Sequence, residues 1–154
     1  MRTKLLLLFT LLATMTFVSS AQSRVYSGRS TYSSDIVCTW DGEYLYRGNS
    51  TYSSDILYTW DGRYVYRGRS NYSSDIVCTW DGRHIYSGCS TYSSDILYTW
   101  DGSYIYRGNS TYSSDILFTC DRRYVYVGRS SYSSDVVLTI DGAIPIPVLF
   151  LLLL

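Results

Sequence analysis

The stretch Asp55-Ile56-Leu57-Tyr58-Thr59-Trp60-Asp61-Gly62-Arg63-Tyr64-Val65-Tyr66-Arg67 sets two short runs of β-branched and aromatic residues on either side of an Asp-Gly pair. Such a pair between such runs is a strong hairpin signal, because aspartate and glycine tolerate the backbone angles of a tight turn. The pair recurs as Asp41-Gly42, Asp81-Gly82, Asp101-Gly102 and Asp141-Gly142. Asp121-Arg122 departs from it, so the fifth hairpin is expected to be strained or to use another turn. A two-residue turn would set Trp60 opposite Arg63, Tyr58 opposite Val65, Thr59 opposite Tyr64 and Leu57 opposite Tyr66. Both faces of the hairpin are then partly apolar.

Outward from this hairpin the same 20-residue phrase repeats six times and fills most of the chain. A unit this small cannot bury its own apolar surface, so neighbouring copies must supply the core. The second connection, Gly48-Asn49-Ser50-Thr51-Tyr52-Ser53-Ser54, is polar and serine-rich and reads as an ordered loop. A parallel β-solenoid would stack Asp35, Asp55, Asp75, Asp95, Asp115 and Asp135 in one column. At a spacing of about 4.8 Å that costs about 3 kcal/mol per neighbouring pair at an effective dielectric near 20. Antiparallel hairpins avoid the column. The expected fold is therefore all-β: tandem hairpins, about 12 short strands, rolled into a superhelical or barrel-like array that covers both faces. The parallel solenoid is the alternative. Copies one and three share Ile-Val-Cys-Thr-Trp, copies two and four Ile-Leu-Tyr-Thr-Trp, a second periodicity of 40 residues.

The ends differ from the array. Arg2 and Lys4 precede the apolar run Leu5–Ala13, and the small residues Ser19, Ser20 and Ala21 follow, the pattern of an export signal over residues 1–21. The repeats span 22–143. The tail, 144–154, is Ile-Pro-Ile-Pro-Val-Leu-Phe followed by four leucines, too short to span a bilayer. It is expected to cap the last hairpin, with contact to a membrane or partner as the sharper reading. Removing Arg2 and Lys4 with the signal leaves 11 basic against 13 acidic residues, which disfavours nucleic acid as a partner.

Four cysteines in an exported chain raise the question of disulfides, but Cys38 and Cys78 hold the same slot two copies apart, Cys89 lies in a loop, and Cys120 replaces a tryptophan. Equivalent positions two copies apart lie too far apart to bridge. No pair has metal-site spacing, and the single histidine, His84, fills a tyrosine slot. No cofactor is expected. An enzyme is the least expected class, because a nucleophile needs a base poised near neutral pH and six equal copies of each aspartate point to turn-shaping.

The unit Gly-x-Ser-x-Tyr-Ser-Ser-Asp-Ile-x-x-Thr-x-Asp-Gly, as at Gly48–Gly62, resembles a set of exported bacterial repeat proteins with a signal peptide, near-identical units and an apolar tail. The resemblance implies export and a repeat array but no activity. A looser likeness is to choline- or glucan-binding cell-wall repeats, in which aromatic side chains of adjacent repeats cage the ligand. It implies a binding part for Trp40, Trp60, Trp80 and Trp100, although the Gly-Trp opening and tyrosine pair of those repeats are absent here. The expected function is a non-enzymatic structural or binding role at the cell envelope, with cell-wall polysaccharide or self-association as the partner. Alternatives are a calcium-stabilised assembly and a flat, ice-binding-like array of Ser50, Thr51, Ser53 and Ser54.

Overall fold

The computed structural model describes residues 21–154, so the expected export signal lies, but for Ala21, outside the described residues. Twelve strands follow one another: β1 (Ser23–Ser27), β2 (Ile36–Trp40), β3 (Tyr44–Arg47), β4 (Ile56–Trp60), β5 (Tyr64–Arg67), β6 (Ile76–Trp80), β7 (His84–Ser87), β8 (Ile96–Trp100), β9 (Tyr104–Arg107), β10 (Ile116–Cys120), β11 (Tyr124–Val127) and β12 (Val136–Asp141). Every strand is antiparallel to its sequence neighbours, and β1 pairs with β12 to close the sheet into a barrel. The hairpin array is thus neither an open superhelix nor a parallel solenoid.

The register differs from that of a two-residue turn. In β4–β5, Tyr58 lies opposite Arg67, Thr59 opposite Tyr66 and Trp60 opposite Val65, a displacement of two residues. The cause is Asp61. One carboxylate oxygen accepts the amides of Arg63 (2.9 Å) and Tyr64 (2.7 Å), and the other accepts the Tyr66 hydroxyl (2.8 Å). This clasp widens the loop to residues 61–64, with Gly62 at φ +100°. Because the displacement is even, the side chains paired within the hairpin, Tyr58–Trp60 and Val65–Arg67, keep their faces. Asp121 makes the same bonds, at 2.7, 2.6 and 3.0 Å, and no described non-glycine residue takes a positive φ. Arg122 therefore uses another backbone conformation within a preserved clasp.

Between units the strands pair through a bulge. Leu45 lies opposite Tyr58 and Tyr46 opposite Ile56, leaving Leu57 as the extra residue. The same irregularity occurs at the other five junctions. A bulge adds twist and bends the strand, which is how a sheet of short strands curls shut.

The sixth hairpin is split between the two ends of the barrel. Thr139 of β12 donates its hydroxyl to the Gly28 carbonyl after β1 at 2.7 Å, as Thr39 donates to Gly48 (2.8 Å) inside an intact hairpin. The Ser23 hydroxyl donates to the Ala143 carbonyl (2.8 Å) and accepts the Ala143 amide (2.9 Å). Gly142, at φ +110°, passes so close that a Cβ there would lie 3.0 Å from the Ser23 Cα.

Val25, Leu45, Val65, Ile85, Ile105 and Val125 are buried in the barrel core with the inward residues of the other strands. A barrel of this strand number is too wide for its own side chains to fill. The tail completes it. After β12 the chain turns inward and forms a helix, α1 (Ile146–Phe150), whose Val148, Leu149 and Phe150 are buried in the same cluster. Phe150 packs on Tyr98 with ring centroids 3.8 Å apart. The expected cap over the last hairpin is thus a plug within the lumen. Pro147 sits in the first helical turn, where its missing amide costs nothing. Leu151–Leu153 are half-buried and Leu154 is exposed.

Candidate functional site

Each serine-rich loop is a clasp of its own. The Ser50 hydroxyl donates to Asp55 (2.5 Å) and accepts the Tyr52 amide (3.2 Å), and the Asp55 amide donates to the Tyr52 carbonyl (2.9 Å). These bonds close a short 3-10 turn, Ser53–Asp55, and leave the Tyr52 ring in solvent. The pattern repeats, so Tyr32, Tyr52, Tyr72, Tyr92, Tyr112 and Tyr132 are each 71–76% exposed. Sequence reasoning missed this ring. Its signal was a large aromatic in every polar loop, a place with no core for it to fill.

The loops fold back over the outer wall. Arg69 lies 5.9 Å from the Tyr44 ring centroid, and Ser70, Asn71 and Tyr72 share a groove of about 320 Å³ with Glu43, Tyr44 and Thr59. This cover explains why the outward residues Thr39, Thr79, Thr99 and Thr139 are buried although they face away from the lumen.

The four tryptophans point into the barrel at its Asp-Gly end. Trp40 is buried and lies opposite Ser23 of β1. Trp60, Trp80 and Trp100 are half-buried, and their amides donate to the carbonyls of Glu43, Arg63 and Arg83 in the preceding turn. Trp80 lines a cleft of about 490 Å³ with Arg63, Asp81 and Thr91, and Trp100 one of about 510 Å³ with Arg83 and Asp101. These two neighbouring clefts each have an aromatic wall, an arginine and hydrogen-bonding groups. Where the tryptophan slot holds Cys120 and Ile140, the rim opens instead into a cavity of about 610 Å³ against Ile144, Ile146 and Leu149 of the tail.

Four of the turn aspartates, Asp61, Asp81, Asp101 and Asp121, are held ionised. Desolvation alone would raise the Asp61 carboxyl, but the amides of Tyr64 and Arg63 and the Tyr66 hydroxyl together bring it below its usual value. Asp81, Asp101 and Asp121 shift the same way. The partner hydroxyls move up: burial and then the Asp61 bond push Tyr66 to about 12. His84 replaces the usual tyrosine, stacks edge-on against Tyr86 at 6.0 Å and places Nδ1 3.0 Å from Asp81. Burial pushes the thiols of Cys38 and Cys78 up to about 12, and Cys89 is exposed; all four cysteines are free. Among the described residues no three His, Cys, Asp or Glu side chains converge as a metal site.

A family model described as "6-fold beta flower protein" matches residues 25–149, most of the chain. The chain belongs to the 6-fold beta flower family. The six hairpins are the six-fold element of this beta flower, with the loops folded outside them and the tail at the centre. No curated protein and no solved structure matches the chain.

Proposed function

We propose that this beta flower is an exported, non-enzymatic binding module of the cell envelope that holds extended polysaccharide by stacking sugar rings on its rim aromatics. The observation that carries the reading is the ring of six tyrosines, each about three-quarters exposed and each fixed by the same loop bonds. Exposing six rigid aromatics costs solubility and contributes little to the core, while a tyrosine face and hydroxyl suit a sugar ring. The clefts at Trp80 and Trp100 supply deeper contacts beside them. Individually weak sites on one rigid ring gain about 10²–10⁴ in avidity when one chain of sugars reaches two or more. The basic and apolar leader followed by small residues supports export.

Affinity electrophoresis against cell-wall polysaccharides tests the reading. Retardation is expected, and it should weaken in Tyr52→Ala with Tyr72→Ala, and in Trp60→Ala with Trp80→Ala. If no polysaccharide retards the folded protein, the reading fails.

A further inference from the structure

The six-fold repeat contains its own control for charge. Tyr44 and Tyr124 occupy equivalent positions in the first and fifth hairpins. Beside Tyr44 stand Glu43 and, from the folded-back loop, Arg69 at 5.9 Å. Glu43 is the largest cause raising the Tyr44 hydroxyl, and Arg69 opposes it, so an acid and a base meet at one ring. Beside Tyr124 the same two slots hold Arg123, at 5.5 Å, and Arg29, at 5.7 Å. The acid of the first groove has become a second cation.

Neither arginine is held in an ion pair. Among the described residues no arginine nitrogen lies within 4.0 Å of an Asp or Glu oxygen; His84 with Asp81 is the ion pair present. The seam cleft beside Arg123, about 390 Å³, adds Arg122, which stands where the other hairpins carry glycine, along with Thr31. Asp141 is the acid on its wall. Two guanidiniums on one ring repel, and an oxyanion between them turns that repulsion into charge-assisted, fork-shaped hydrogen bonds.

We propose that Arg123 and Arg29, the two guanidiniums beside the Tyr124 ring, bind the oxyanion of an acidic ligand, a carboxylate or a phosphate, which supplies the negative charge that Glu43 brings to the first groove. The site is independent of stacking on the rim aromatics and stands if neutral sugars do not bind.

Calorimetry at low salt with trigalacturonate, glucose 6-phosphate and maltotriose tests it. One anionic probe per chain is expected, with maltotriose leaving the groove empty; which anion binds identifies the source. Arg123→Glu, which copies the first groove, should weaken anion binding at least about tenfold. Glu43→Arg, which copies the seam, should raise the stoichiometry to two. Both positions are on the surface, and an unchanged Tm confirms folding. If neither anion binds, if Arg123→Glu leaves binding unchanged, or if Glu43→Arg adds no second site, the proposal is overturned. Loss of maltotriose binding in Trp80→Ala reports on the rim reading alone.

Discussion

Phe150→Ala tests whether the tail is core. Phe150 is 1% exposed and packs on Tyr98 at 3.8 Å, between β-strands on one side and Val148 and Leu149 of its own helix on the other. Truncating a buried phenylalanine removes its transfer free energy and leaves a cavity that a rigid barrel cannot collapse, about 3–5 kcal/mol together. With a urea slope of about 2 kcal/mol/M, the unfolding midpoint should fall by about 1.5–2.5 M at an unchanged slope. Leu154→Ala, four residues beyond the helix and 76% exposed, should move stability by less than about 0.5 kcal/mol. Urea unfolding followed by tryptophan fluorescence reads both, since Trp60, Trp80 and Trp100 pack against the same cluster as the tail. A Phe150→Ala loss below about 1 kcal/mol, or equal losses for the two variants, would refute the plug. Deleting 144–154 removes the four buried residues Pro147, Val148, Leu149 and Phe150, a loss comparable with the whole stability of a domain at about 2–5 kcal/mol for each large apolar side chain. That chain should fail to form a cooperative barrel.

Thr139→Val breaks the hydroxyl clasp on Gly28 that closes the barrel and should cost about 1–2 kcal/mol in chemical unfolding. Because the seam joins the chain ends, the variant should also speed exchange of the β1 amides. Thiol titration with a chromogenic disulfide at pH 8 should count one reactive group, Cys89, in the folded protein and four in denaturant. Asp61, Asp81, Asp101 and Asp121 have folded pKa values below the unfolded carboxylate value. Their contribution is therefore present above about pH 4 and lost as pH falls through the folded values. Tyr46, Tyr66 and Tyr106, pushed up to about 12, lose theirs as pH rises from 10 toward 12. Melting curves should drop at both extremes, and Tyr66→Phe with Tyr106→Phe should flatten the alkaline drop; an unchanged alkaline arm would count against the clasp.

The antiparallel hairpin, its polar loop and the alternation of side chains within it were legible in twenty residues, because Asp-Gly turns, β-branched runs and alternation are local signals. Even the register error left the faces of the paired residues intact, since Asp61 shifted the pairing by two residues rather than one. The candidate tryptophans were legible as aromatics but not as inward-facing, and the loop tyrosines were not singled out at all. Which of the two meets solvent depends on where the loop folds relative to the wall, a contact between copies. Closure at six hairpins arises from twist and bulges summed around twelve strands, which no single copy encodes. The same holds for the split hairpin, where Thr139 meets Gly28 111 residues away. The tail's apolar sequence determined that it had to be covered. Only the barrel decided by what, because its width left a lumen that needed Val148, Leu149 and Phe150 to fill it.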